Sequence, residues 1–257
     1  MPKGFFDNVI RWEFEREGTR RTLPYFYYDN TSLTAIFLAS SSKIRGLLPH
    51  QDMKPVEIVP GRCMVAFSAF EYRKTDFEPY NELSISFQIS FRRRQIPGIT
   101  AAKMMLSRAT SSYIWQLPVT AEHARAGGVD LFGYPKFLAE IGFETNEDWI
   151  TCTLAERGRD ILRLRGRKLV THKGKFIRHT TFSVGSGVPL VAEVLVNPLE
   201  YAEAYDGSTV QLELGTSHHI CDVLRQIGLS KRARMYQYSP VNEAILFPAH
   251  NIISDTY

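Results

Sequence analysis

The chain has 257 residues, 44% hydrophobic and 23% charged, ordinary proportions for a globular fold with a sizeable core. Lys and Arg number 31 against 27 Asp and Glu, and a net charge of +4 is too balanced to imply nucleic acid as a partner. Cys63, Cys152 and Cys221 offer neither zinc spacing nor a disulfide framework, no stretch approaches a membrane span, and charge arrives at once at Lys3 and Asp7. These features predict a cytoplasmic protein without a signal peptide.

Residues 11–21 are densely charged and predict a docking arm within 1–24, lying on the body or on a neighbouring subunit. Residues 25–28 and 33–38 read as strands around an Asp29-Asn30 turn. The aromatic run at 25–28, together with the charged arm, predicts a homo-oligomer. A short helix follows over 40–48, with serines at its start and Pro49 beyond its end. Residues 63–72 and 83–91 carry β-type content. In the second, Leu83, Ile85, Phe87, Ile89 and Phe91 alternate with Ser84, Ser86, Gln88 and Ser90, the period of a strand with one apolar and one polar face.

Another strand is predicted at 112–117, then a short helix at 120–125 stopped by Gly127-Gly128. Residues 149–154 and 161–167 read as a strand pair, followed by strands at 176–184, 190–196 and 210–214. Ile220, Val223, Leu224 and Ile227 recur at helical spacing and predict a helix over 219–228. No repeat or low-complexity linker divides the chain, so 1–257 reads as one domain. Many strands with few helices imply an α+β, mainly antiparallel β fold, closed into a barrel or cone with its helices outside.

The most informative pattern lies in residues 127–141. Lys136 follows a Gly-Tyr-Pro turn and is surrounded by Leu131, Phe132, Tyr134, Phe137, Leu138 and Ile141. An amine among apolar groups loses hydration, which penalises its ammonium form, and a neutral amine can form a Schiff base with a ketone. The alternative is a lysine whose stem packs on Phe137 while its head reaches water. Glu82 belongs to the polar face of the 83–91 strand. If that face lines a barrel lumen, Glu82 is a candidate carboxylate beside Lys136; otherwise it is a solvated strand start.

Other clusters carry less. Arg92-Arg93-Arg94 and Lys231-Arg232-Ala233-Arg234 lack the interleaved aromatics that base stacking needs. His218-His219 do not converge on one metal, and His172 and His179, facing each other across a hairpin, lack an acidic third ligand. Gly185-Ser186-Gly187 is a turn without the context of a phosphate loop. Tyr236 or Tyr238 could enter the pocket as a proton donor, with core packing as the alternative.

Gly133-Tyr134-Pro135-Lys136 resembles the lysine motif of the acetoacetate decarboxylase family. Pro79-Tyr80-Asn81-Glu82 is similar to that family's segment carrying an active-site glutamate. Leu47-Leu48-Pro49 and residues 208–214 resemble its helix end and its late barrel strand. The resemblance implies a closed β cone with no metal or cofactor and a Schiff base on Lys136. It implies proton transfer or substrate positioning by Glu82, and substrate contacts from Tyr134, Phe132, Glu71 and Tyr80. The chain also departs from the family pattern. Phe137 stands where the decarboxylases carry a second lysine. An ungapped match puts Phe67 at the family's other glutamate, with Glu71 the nearest acid. It puts Asn30 near the family's arginine, and no arginine lies between Arg21 and Arg45. The implied function is a Schiff-base lyase acting on a small keto acid, with decarboxylation of a β-keto acid first. An aldolase-dehydratase using the same lysine, or a non-catalytic ligand-binding cone, are the alternatives.

Overall fold

The period-2 segments become long strands in the computed structural model, which describes residues 4–16 and 18–252. A hairpin of β1 (Trp12–Arg16) and β2 (Thr19–Leu23) comes first. Then follow β3 (Tyr25–Ser40), α1 (Ser41–Arg45), β4 (Met53–Pro55), β5 (Glu57–Val59), β6 (Arg62–Thr75) and β7 (Tyr80–Phe91). The middle of the chain holds α2 (Ile99–Ser107), β8 (Ala109–Gln116), α3 (Glu122–Phe132), β9 (Glu140–Thr145), β10 (Trp149–Glu156) and β11 (Arg159–Arg167). The last part holds β12 (Ile177–Gly185), β13 (Val188–Ala204), β14 (Val210–Leu214), α4 (His219–Gln226), β15 (Met235–Leu246) and β16 (His250–Asn251).

Seven strands close a barrel in the order β3-β6-β7-β8-β12-β13-β15 and back to β3. Every pairing in the ring is antiparallel except β8 with β12. Closure leaves the ring without an open edge. A four-stranded sheet, β14-β11-β10-β9, covers part of the outside.

The alternation of β7 explains this arrangement. Its apolar face, Leu83, Ile85, Phe87 and Ile89, is fully buried and points outward. It forms one core with Ile150, Cys152, Leu154, Ile161 and Leu164 of the covering sheet. Its polar face, Glu82, Ser84, Ser86 and Gln88, lines the barrel interior. β3 and β6 repeat the pattern: Leu33 and Phe67 turn outward, whereas Thr34 donates to Ser68 inside the barrel at 2.9 Å. The strands are thus buried on both faces, with the polar face toward a lumen. α4 closes the outer core with Ile220 and Leu224. Its cap is His218, whose Nδ1 accepts from Ile220 N–H while Nε2 meets Glu156 at 3.0 Å.

Several local expectations change. The Asp29-Asn30 turn is a bulge inside one continuous strand, where the register shifts on both flanks of Asp29. Asn30 is held there by reciprocal bonds: its side chain donates to Asn242 O, and the Asn242 side chain donates to Asn30 O. The helix expected at 40–48 is one turn, Ser41–Arg45. The helix expected at 120–125 runs to Phe132, straight through Gly127-Gly128. α2 was not expected; Gly98 and the arginine-rich lead-in gave it no cap signal, and no side chain caps it. The charged segment 11–21 folds as the β1–β2 hairpin and docks on its own chain, with Arg11 2.5 Å from Asp76 and Arg21 3.4 Å from Asp130. Tyr25, Phe26 and Tyr27 are buried within this chain, so they supply no exposed aromatic face for a partner.

The two faces of β7 predict different costs for neighbouring substitutions. Phe87→Ala should lower unfolding free energy by about 3–5 kcal/mol through the cavity it leaves. Ser86→Ala, on the lumen side, should change it by less than about 1 kcal/mol. Urea unfolding of the two variants measures both, and equal costs would contradict a polar-inside barrel.

Candidate active site

The site is built where α3 ends. Gly133 caps the helix in the left-handed region at φ 59°, and its N–H bonds Val129 O while Tyr134 N–H bonds Gly128 O. A β-carbon at Gly133 would lie 2.6 Å from Gly185 N, so both conformation and space demand glycine. Lys136 N–H bonds Tyr134 O at 2.7 Å across Pro135, which tightens the turn. The chain is then tied to the extension of β8, because Leu117 N–H bonds Pro135 O and Val119 N–H bonds Phe137 O. These bonds set the direction in which Lys136 leaves the backbone.

The lysine stem runs over Gly128. A β-carbon there would lie 2.4 Å from Lys136 Cδ and 2.5 Å from Cε. Of the glycine pair read as a helix stop, Gly128 is therefore a channel for the lysine, while Gly127 faces Arg21 and Tyr25. Inside the lumen, Lys136 Nζ donates to Glu82 Oε2 at 2.6 Å, with the two side chains only 7% and 9% exposed. The head does not reach solvent as the alternative reading required. Tyr72 donates to the other oxygen of Glu82 at 3.4 Å, and the Tyr80 ring centroid lies 5.7 Å from Nζ.

A collar of tyrosines surrounds the pair. Tyr27 packs on Tyr72 with ring centroids 4.6 Å apart, and Tyr72 packs on Tyr80 at 4.8 Å. Burial, reinforced by the charge of Glu82, pushes the phenols of Tyr27 and Tyr72 well above their usual range, so they stay protonated donors. Tyr80 is raised too, by burial and then by its neighbours Tyr27 and Glu82. Tyr134 lines the lumen with its hydroxyl 2.6 Å from Thr181 Oγ1.

The other residues singled out from sequence fall elsewhere. Phe132 is buried behind Tyr134, stacked on it at 5.4 Å, and supports that ring without lining the cavity. Tyr80 backs the lysine–glutamate pair and stands outside the cavity lining. Glu71 lies on the outward face of β6, 3.3 Å from Arg73. Phe67 is on that outward face as well; the lumen positions on either side of it are Ala66 and Ser68, neither of them acidic. Asn30 does line the lumen. Tyr236 and Tyr238 belong to the outer core, while their neighbours Gln237 and Ser239 face inward. His172 and His179 do not face each other: His172 pairs with Tyr201, and His179 sits in the lumen 2.5 Å from Thr110 Oγ1. Among the described residues no three His, Cys, Asp or Glu side chains are grouped to hold a metal ion, and no helix is long and apolar enough to cross a membrane.

His179 and Arg108 are lumen residues that the sequence reading did not place there. A signal for His179 existed in the alternation of Ile177, His179 and Thr181, all three inward-facing on β12. Arg108 follows an unrecognised helix, so nothing marked its direction.

This arrangement, a closed barrel enclosing one buried amine and its carboxylate, has relatives. The chain matches the family model for acetoacetate decarboxylase over residues 14–241 and belongs to the acetoacetate decarboxylase family. It is thus an acetoacetate decarboxylase-like enzyme. Its fold is similar to an acetoacetate decarboxylase from Legionella pneumophila subsp. pneumophila str. Philadelphia 1 (TM-score 0.63, 13% identity, 89% of this chain and 87% of that one). It is also similar to an acetoacetate decarboxylase-like enzyme from Sphingomonas wittichii RW1 (TM-score 0.55, 15% identity, 89% and 94%). A third match is the enduracididine biosynthesis enzyme MppR (TM-score 0.60, 11% identity, 87% of each chain). No curated protein matches the sequence.

Two predictions follow from this geometry. Gly128→Ala should push Lys136 off Glu82 and destabilise the fold by about 3–5 kcal/mol, the range for breaking a buried pair; thermal unfolding of this variant against Gly127→Ala tests it. Burial lowers the His179 imidazole from 6.5 to about 4. The unfolded chain therefore binds a proton that the native state refuses, and stability is lost as pH falls from 6.5 toward about 4. His179→Gln should flatten that part of the stability–pH profile, as read by urea unfolding across the window.

Proposed function

We propose that the protein is a Schiff-base-forming lyase for a keto acid, and that decarboxylation of a β-keto acid is the reaction its site serves best. The observation that carries this reading is the 2.6 Å contact between Lys136 Nζ and Glu82, enclosed at one end of the lumen. Glu82 takes a proton from the ammonium, and the freed amine attacks the ketone carbon. The carbinolamine oxygen leaves as water, with Glu82 returning the proton, and an iminium remains on Lys136. The bond to the substrate carboxylate then breaks. Its electron pair moves into the iminium to give an enamine, and carbon dioxide departs. Protonation of the enamine carbon and hydrolysis of the imine release the ketone and restore the amine. Tyr72 steadies Glu82, while Tyr134 offers a wall to the substrate.

Decarboxylation asks for an electron sink and little more, which suits a site with one carboxylate and with Phe137 in place of a second lysine. A second reading is an aldolase-dehydratase, in which the same enamine attacks an aldehyde. It is favoured by the size of the lumen, about 270 Å³, which leaves room for a second reactant. MppR, similar in fold, has been seen with pyruvate and with the condensation product of pyruvate and imidazole 4-carboxaldehyde. The proposal also places the enzyme in the cytoplasm, which the three free, buried cysteines suit. It makes the enzyme a homo-oligomer, for which the exposed Ile99 and Leu106 of α2 offer an apolar patch.

Carbon dioxide release from β-keto acids tests the chemistry. Lys136→Arg should abolish it, because a guanidinium stays protonated. Glu82→Gln should slow it by about 10²–10⁴-fold, the usual contribution of a placed acid–base group. Unchanged release in both variants would refute the lysine mechanism. Carbon–carbon bond formation without carbon dioxide would install the aldolase reading instead.

A further inference from the structure

The lumen is larger than the chemistry around Lys136 needs. Its volume of about 270 Å³ approaches twice the roughly 150 Å³ of a cavity that holds benzene. A four-carbon keto acid on Lys136 would leave much of it unfilled. Strand β8 shows where the rest lies. Leu117, just beyond its end, bonds the backbone beside Lys136. Arg108, nine residues upstream, also lines the lumen. At roughly 3.3 Å per residue their backbones stand at most roughly 30 Å apart along the strand, a span that two long side chains shorten without bringing Arg108 to the carboxylate of a small substrate bound on Lys136.

Arg108 stands at the open mouth, where the exposed Met105 and Tyr205 also join the lining. It caps α2 in the left-handed region at φ 50°, where glycine or asparagine is the usual choice. Its guanidinium lies 5.5 Å from the Tyr201 ring centroid. No ion pair among the described residues includes it. The acid nearby, Glu203, accepts instead from Tyr201 at 2.7 Å and Tyr205 at 3.3 Å. Between mouth and lysine sits Gln88, 93% buried by its exposure of 7%. Its Nε2 donates to Ser112 Oγ at 2.7 Å, and its Oε1 has no partner among the described residues. Turning the amide over exchanges which half is bonded and leaves the other half open. A hydroxyl satisfies either orientation, since it both donates and accepts.

We propose that the barrel takes an elongated, anionic keto acid: its ketone at Lys136, a mid-chain hydroxyl at Gln88, and its far carboxylate on Arg108. The ketone end rests on the Schiff-base reading; the far end stands on Gln88 and Arg108 alone. For decarboxylation the substrate then carries two carboxylates, one lost from the position β to the ketone and one retained at the mouth.

The test uses methyl-ketone acids of rising length, from acetoacetate to chains long enough to reach from Lys136 to Arg108, trapped on the intact protein with cyanoborohydride and read by mass spectrometry. Half-saturation should fall with length to an optimum at a long member. Arg108→Gln should raise it about tenfold there, by loss of a charge-assisted contact, and leave acetoacetate unchanged. A mid-chain hydroxyl should tighten binding to the wild type and lose its advantage in Gln88→Leu. Best trapping of acetoacetate, or an equal effect of Arg108→Gln at every length, would overturn the proposal. If no ketone is trapped at all, calorimetry with the corresponding secondary-alcohol acids separates the two readings. Binding that depends on Arg108 would sink only the lysine chemistry, and absence of binding would sink the far subsite.

Discussion

Lys136 and Glu82 have been taken out of water together, and much of the surrounding structure answers that constraint. Desolvation costs several kcal/mol per ion even after relaxation, and only close geometry with further hydrogen bonds offsets it. The 2.6 Å contact supplies the first, and Tyr72 supplies a further bond to Glu82. Holding the amine in place uses backbone devices on three sides: the left-handed Gly133, the bonds from Leu117 and Val119, and the bare surface of Gly128 under the stem. None of these is a side chain touching the amine, yet each decides where the amine points.

The carboxylate needs a complementary device. A strand normally turns its polar residues to solvent, where a glutamate is hydrated. β7 turns them into a closed lumen, because the covering sheet takes its apolar face. The outer core is therefore a condition of the site. Phe87 and Ile85, remote from any chemistry, fix the register that aims Glu82 inward. The same inversion lines the cavity with Ser84, Ser86 and Gln88, which makes its middle polar and its lysine end aromatic.

How much of this was legible in the sequence follows from how local each signal was. The alternation over Leu83–Phe91 marked the faces of β7 directly, and the spacing of Ile220, Leu224 and Ile227 marked α4. The Gly-Tyr-Pro-Lys turn pointed to Lys136, and the polar face pointed to Glu82. Signals that depend on a distant partner were misread. Asp29-Asn30 has the composition of a turn, and only Asn242, far along the chain, makes it a bulge. Gly127-Gly128 has the composition of a helix stop, and only the later stem of Lys136 explains Gly128. Glu71 was attractive as the nearest acid to a matched position, but it lies four residues from Phe67, an even offset that keeps it on the same outward face of β6. Arg108 depended on a helix that no local pattern announced, whereas His179 was marked by the alternation of Ile177, His179 and Thr181 and went unread.

The central claim is that Lys136 is the amine that bonds substrate, and reduction of the intact protein with borohydride in the presence of a carbon-13-labelled keto acid addresses it most directly. Peptide mapping should find the reduced, labelled adduct on the peptide carrying Lys136, and no adduct in Lys136→Arg. A label on another lysine, or no label under conditions where substrate is consumed, would contradict the account.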